Sequence, residues 1–444
     1  MPLPLKTLNQ LMKSDDRLIR SRLKALSSQD AKYWEFRRQA AREGVHGLLQ
    51  YPAMMVPQMQ RDVLNVLLTL RSEAIRILDP FVGSGTVMTE SMLAGCKFTG
   101  IDINPLAILT CKAKVSLHRH KRFRGKAHLL IAKISASRTR RIDVDFFGRD
   151  KWFTQKASIA LSRIRTAIIE EPDDWARAIF WIVMAETIRQ ISNSRTSTYK
   201  LHIRPESEIA SLPDPIEVFV CRLEITCSQL AFHSMTMREK KVPARPPVLH
   251  CDSVMNLPAL TRSKFDFVIT SPPYGDNHST IPYGQFSYLA LNWISPDDVP
   301  GGDKVKSTRS VDTQSLGGSR IVALEASQDA EEASPAFKRF IRRLRRQGKP
   351  DLEVKVTAFT VDFFSSIKHT VEAMNDGAYS AWTLGNRTVG GHIVPLTEIC
   401  RELHEACGAR HIDTVRRRIP NKRTPVRNAH GQTMSDECLL LLGT

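Results

Sequence analysis

Ile75 to Asp102 reads IRILDPFVGSGTVMTESMLAGCKFTGID, and this stretch decides the fold. The apolar run IRIL ends in Asp79-Pro80, and GSGT then opens a helix that runs through Met92. KFTGID is a second short strand, closed by the acid Asp102. Strand, glycine turn, helix and strand form one βαβ unit, the building block of a doubly wound α/β fold. Gly83 and Gly85 stand where a tight turn needs positive φ or where backbone approaches a ligand closely. The helix that follows offers free N–H groups to whatever sits there. Asp102 ends its strand where an acid can accept hydrogen bonds from a ribose diol. A plain tight turn is the competing reading of the loop taken alone. No GxxxxGK[ST] occurs, which excludes a P-loop.

Working outward, residues 14–43 are charged and helix-like, with Leu18, Ile19, Leu23 and Leu26 set among basic residues. The α/β pattern stops after residue 115. Residues 116–244 carry the basic clusters HRHKRFRGK (118–126) and SRTRR (137–141) among helical segments. Ala157, Leu161, Ile164 and Ile168 share one helical face, and Trp175 to Met184 is apolar nearly all round, as in a buried helix. The alternation resumes at FDFVIT (265–270), a strand that feeds Ser271-Pro272-Pro273-Tyr274. Residues 297–350 form an irregular insertion ending in FKRFIRRLRRQGK. Then come a helix near 357–375, the strand YSAWTL, a helix near 396–407 and strands near 411–418 and 437–442. The expected organisation is an N-terminal helical segment (1–44) and one α/β domain in three parts (45–115, 248–296, 355–444). Helical and basic insertions (116–247 and 297–354) project from it, the first being the expected DNA-recognition part.

SPPY follows its strand directly. Two prolines stiffen the backbone and donate no hydrogen bond, so their carbonyls can be held facing a ligand. Chemistry on a base amino group needs this. The nitrogen's lone pair is delocalised into the ring, and acceptors for its two N–H bonds localise that pair toward an electrophile. Ser271 and a proline carbonyl are such acceptors, and Tyr274 can stack on an extruded base. A strand-end Pro-Pro turn is the bland alternative. Asp276, His278, Tyr283 and Tyr288, just downstream, are further candidates for the pocket wall.

The order of these elements resembles that of the amino-methylating DNA methyltransferases of restriction–modification type. HGLLQYPAMMVPQM (46–59) is similar to their element before the cofactor loop, DPFVGSGT to the AdoMet loop, and GIDINP to the ribose-binding strand end. SPPY looks like their catalytic motif, and WTLGNRTVGG and RRRIPNKRTP resemble late motifs that wall the base pocket. The resemblance covers about half the chain. It implies a class I AdoMet-methyltransferase sheet, Rossmann-like, with two inserted, mainly helical basic segments. It further implies AdoMet contact by Pro52, Asp79, Phe81, Gly83, Gly85, Thr86 and Asp102. Asp252 falls where the family binds the adenine edge, and Ser271, Pro272, Pro273 and Tyr274 would handle the base. The family transfers the methyl directly, with no catalytic cysteine. Serine at the first tetrad position is more usual for cytosine-N4 enzymes, while adenine-N6 remains the alternative.

Lys plus Arg outnumber Asp plus Glu by 64 to 46, a formal charge of +18, so a polyanion is the expected partner. Double-stranded DNA fits best, with phosphate contact expected from Arg122, Arg124, Arg342, Arg343, Arg346, Lys422 and Arg423. Arg195, Thr196 and Tyr199 in SNSRTSTYK are candidates for backbone or base contact. Solvated charge is the bland reading of each basic run. No apolar run reaches membrane-spanning length, no signal-peptide pattern opens the chain, and the eight cysteines show no CxxC or zinc spacing. With the resemblance, the expectation is a cytoplasmic, DNA-associated prokaryotic enzyme with no metal, and the resemblance leaves room for a cognate restriction endonuclease encoded separately. Two other readings compete: an RNA guanine-N2 methyltransferase, and an inactive nucleic-acid-binding module.

Overall fold

The computed structural model describes residues 5–28, 30–37, 43–71, 75–116, 120–241, 245–276, 281–301, 308–318, 327–419 and 434–444. The two apolar runs of the opening stretch are neighbouring parallel strands, β1 (Arg76–Asp79) and β2 (Lys97–Asp102), with Asp79 beside Gly100. β3 (Val248–Cys251), β4 (Phe265–Thr270) and β5 (Met374–Gly385) continue the parallel set. A two-stranded ribbon follows, β6 (Thr388–Val389) with β7 (His392–Ile393). β8 (Arg410–Arg418) and β9 (Asp436–Gly443) complete the main sheet. Its order is β3-β2-β1-β4-β5-β9-β8, and β9 alone runs opposite to the other six. This is the Rossmann-like sheet of class I methyltransferases.

The central strands bury apolar residues on both faces, as a sheet covered on both sides requires. Ile77, Phe267, Ile269, Leu439 and Leu441 form one core with helices Leu5–Ser27, Pro57–Leu68 and Thr86–Leu93. Leu78, Val268, Trp382, Leu440 and Leu442 form the other with helices Pro335–Arg346, Pro350–Glu372 and Leu396–Ala406.

A third core belongs to the first insertion. Helices His120–Ala136, Gln155–Ile169, Asp174–Ile191 and Pro215–Glu239 pack with Pro105–Val115 and Tyr283–Trp293 of the α/β part. Ala157, Leu161, Ile164 and Ile168 are buried together, and Trp175 to Met184 lies inside a buried helix. Thr154 and Asp214 cap two of these helices through their side-chain oxygens.

The structure departs from expectation in three places. VLHC is a strand, β3, too short and too half-exposed to stand out from its surroundings. The helix near 357 begins at Pro350, which suits a first helical turn because its missing N–H has no helical partner there. The basic segment after residue 334 does not project. Phe337, Phe340, Ile341 and Leu344 bury one face of helix Pro335–Arg346 against the sheet-side core.

Candidate active site

In a parallel sheet, ligands bind beyond the carboxyl ends of the strands, where neighbouring connections leave in opposite directions. β1 has β2 on one side and β4 on the other, so the crevice opens there. The ends of β1, β2, β3 and β4 bring Phe81, Asp102, Asp252 and Ser271 to one cavity of about 830 Å³, open to solvent. Pro52, Gly83, Thr86 and Pro273 also line it.

Each wall is fixed by its own contacts. Asp102 accepts the backbone N–H of Gly83 at 2.9 Å through one oxygen and that of Asn104 at 2.8 Å through the other. The glycine loop and the next turn thus hang from one carboxylate. Burial raises that carboxyl to about 6. Asn104 caps helix Pro105–Val115 and donates to Tyr51 Oη at 3.0 Å and Ser287 Oγ at 2.8 Å. Tyr51 stacks on Tyr283, with ring centroids 5.9 Å apart, and both rings line the cavity. The wall formed by 46–59 is held from behind by His46 against Glu90 at 3.0 Å and by Gln50 N–H donating to Glu186 at 3.1 Å.

Several sequence-named residues stand just behind the cavity. Asp79 is fully buried, accepts from Thr270 Oγ1 at 2.6 Å and Phe81 N at 3.1 Å, and so ties β4 to the loop after β1. Its second oxygen has no hydrogen-bond partner among the described residues, and burial pushes its carboxyl up to about 7. Gly85, at φ 79°, packs so closely that a Cβ would lie 2.8 Å from Cys111 Sγ. Lys114 donates to Ser84 O at 2.6 Å from beneath. Pro272 is buried.

Tyr274 is anchored away from the cavity by groups the sequence reading did not name. Its hydroxyl donates to Glu437 on β9 at 3.3 Å and lies 3.2 Å from Ser271 Oγ. Glu437 is gripped by Arg417 of β8 at 2.8 and 2.6 Å. Burial and the Glu437 charge push the phenol well above its usual range, so it stays protonated. Its one proton goes to Glu437, so Ser271 donates to Tyr274 and keeps its lone pairs for the cavity. Gly385 makes room for the ring, since a Cβ there would lie 2.7 Å from Tyr274 Cε2.

Asp276 pairs with Arg387 of the GNR segment at 3.4 Å rather than lining the cavity, and Tyr288 donates to Phe147 O at 2.8 Å. His278, Lys422 and Arg423 lie outside the described residues. Among the peripheral cations, Arg122 pairs with Asp173 at 3.8 Å and sits over Trp175, while Arg124 is exposed. Arg342, Arg343 and Arg346 are exposed and make no ion pair among the described residues. Arg195 and Tyr199 are exposed on a loop beside the cavity wall. Tyr51, Asn104, Gln314 to Leu316, Glu437 and Arg417 were not named from sequence. Glu437 and Arg417 sit in strands with no motif of their own, and only pairing across β8 and β9 brings them together.

Among the described residues no His, Cys, Asp and Glu cluster is arranged to hold a metal ion, and no helix is long and apolar enough to cross a membrane. Sheet order and an acid-lined cavity at the ends of β1 to β4 define a class I methyltransferase. One curated relative makes this specific. The type II methyltransferase M.MvaI of Kocuria varians is 30% identical over 435 residues, spanning 92% of this chain and 93% of the relative. The chain belongs to that family, the DNA methyltransferases of restriction–modification systems. No family profile matches it. A solved rRNA methyltransferase, aviRa from Streptomyces viridochromogenes, aligns over 88% of this chain and 86% of that one at 11% identity, with a TM-score of 0.28.

Proposed function

We propose that the chain transfers the methyl group of AdoMet to an exocyclic amino group of a base extruded from duplex DNA, cytosine N4 ahead of adenine N6. One observation carries the reading: Ser271 and Pro273 share a cavity with Asp102 and the glycine loop, so a base acceptor site and a ribose site adjoin. The cavity suits AdoMet. Asp102 would hold the ribose diol, Phe81, Pro52, Gly83 and Thr86 would line the cofactor, and Asp252 would take the adenine edge. Asp79, behind the cavity, would brace the loop after β1 against β4. AdoMet supplies an electrophilic methyl on a sulfonium.

The chain's own residues do the rest by placement. Ser271, fixed as an acceptor by Tyr274 and Glu437, takes one N–H of the base amino group. A tetrad carbonyl takes the other. Held this way, the nitrogen lone pair would be directed at the methyl group that AdoMet would supply, and the proton the nitrogen gives up on forming its new bond to carbon would pass to solvent. The serine in SPPY supports cytosine, and the family supports a cytoplasmic, DNA-associated enzyme with a separately encoded endonuclease. Labelled AdoMet incubated with duplex DNA, followed by nucleoside mass spectrometry, tests the reading. N4-methylcytosine is expected. N6-methyladenine would reverse the choice of base, and label found only in RNA would overturn the function.

A further inference from the structure

A second cleft lies one aromatic wall away from the cavity. It has about 590 Å³ and lies between helix Tyr283–Trp293 and the loop from Ser192 to Leu201. The wall is continuous. Tyr51, which lines the first cavity, meets Phe286 edge-on at 5.6 Å, and Phe286 meets Tyr199 at 6.1 Å.

The loop is built, not merely exposed. Ser194 and Ile203 form an antiparallel bridge, and Arg195 N–H donates to His202 O at 2.8 Å. The Arg204 guanidinium donates to the carbonyls of Ser192 at 3.2 Å and Ser194 at 2.9 Å. Leu201 N–H donates to Gln285 at 3.3 Å, which fastens the tip to the helix that follows the tetrad. What this bracing holds out is Arg195, Tyr199 and Lys200, all exposed.

The two cavities differ in charge. Asp102 and Asp252 line the first, which suits a cationic cofactor. Among the described residues no carboxylate lines the second, and three cations do. Arg189 spends its charge on Glu186 at 2.7 Å, whereas Arg195 and Lys200 make no ion pair among the described residues. Aromatic faces beside unpaired cations, with apolar floor residues such as Ile188 and Leu289, suit a nucleotide: stacking for the base, charge for the phosphate.

We propose that this cleft holds a nucleotide adjacent to the target base, with Tyr199 stacked on its base and Arg195 and Lys200 on its phosphate. The inference rests on the DNA methyltransferase reading and adds a second nucleotide site to it. A chemical double-mutant cycle tests it. Synthetic duplexes carry the methylated site found by sequencing, either intact or with an abasic sugar at each neighbour of the target in turn. Tyr199→Ala is expected to raise KM for the intact duplex about tenfold or more, the worth of one base–aromatic stack. Tyr199→Phe restores it. On the duplex abasic at the stacked position, Tyr199→Ala costs nothing further. Arg195→Gln with Lys200→Gln lowers the salt slope of DNA binding by about 0.9, the worth of the one phosphate they share. AdoMet affinity, read by calorimetry, reports that the variants are folded. A wild type that methylates DNA while Tyr199→Ala leaves KM unchanged, or pays the same penalty on every abasic duplex, overturns the inference alone. A wild type that methylates no DNA overturns the functional reading and this site with it.

Discussion

Ser271 is a hydroxyl, and a hydroxyl is free to donate or accept until its neighbours decide. Here the decision is made two residues away, at a carboxylate. Glu437 only accepts, so Tyr274 must donate to it, and Ser271 must donate to Tyr274. Tyr274→Phe keeps the ring and breaks the chain of donors. It is predicted to lower kcat by about threefold to tenfold, the worth of one hydrogen bond, while AdoMet affinity is kept. An equal loss of AdoMet affinity would show that the tyrosine instead supports the cofactor wall. The acids behave differently. Burial raises Asp79 to about 7 and Asp102 to about 6 from 3.8. The folded chain therefore holds protons the unfolded chain has released. The stabilisation from these two groups is full below about pH 4 and is lost as pH rises through about 6 to 7. A cationic ligand at this edge favours their ionised forms. AdoMet affinity is predicted to rise between about pH 5.5 and about pH 8 in calorimetric titrations, and to weaken in Asp102→Ala. A flat profile would remove Asp102 from the cofactor site.

Helix Pro335–Arg346 separates packing from charge in one element. Its apolar face is core, and Arg342, Arg343 and Arg346 face solvent. Phe337→Ala is predicted to cost about 3–5 kcal/mol of stability in denaturant unfolding, as a large buried ring should. Replacing the three arginines by Gln should leave stability within about 0.5 kcal/mol and flatten the salt dependence of DNA binding. An unchanged slope would mean that the face is merely solvated. The elements that sequence revealed were those with a period or a punctuating residue. IRILD and FDFVIT alternate and end in acid or Pro-Pro, and FKRFIRRLRR repeats every three to four residues. VLHC has four residues with one neighbour, β2, so nothing in its pattern separates it from the loop. The same limit hid Glu437 and Arg417. Their roles come from being opposite one another across two strands far apart from β4 in sequence, which is a property of register rather than of local pattern.

At the scale of the molecule, the carboxyl ends of the strands gather the acids and the tetrad, while the inserted helices pack against helix Tyr283–Trp293 and carry the loop at Ser192 to Leu201. Gly83, Asp102 and Ser271 were legible in advance because each ends or follows a patterned strand at the crevice, whereas Phe81 and Asp252 were named only through the family resemblance. Tyr51 and Asn104 were not, because their meeting depends on how the 46–59 segment folds back over the sheet edge. The charge of +18 belongs to the whole surface and predicts affinity for a polyanion without saying which bases are read. The most direct measurement compares wild type and Ser271→Ala for methyl transfer from labelled AdoMet to duplex DNA, with AdoMet affinity measured alongside. The account predicts N4-methylcytosine from the wild type, a loss of about a hundredfold or more in Ser271→Ala, and unchanged AdoMet binding. Full transfer by Ser271→Ala would contradict it.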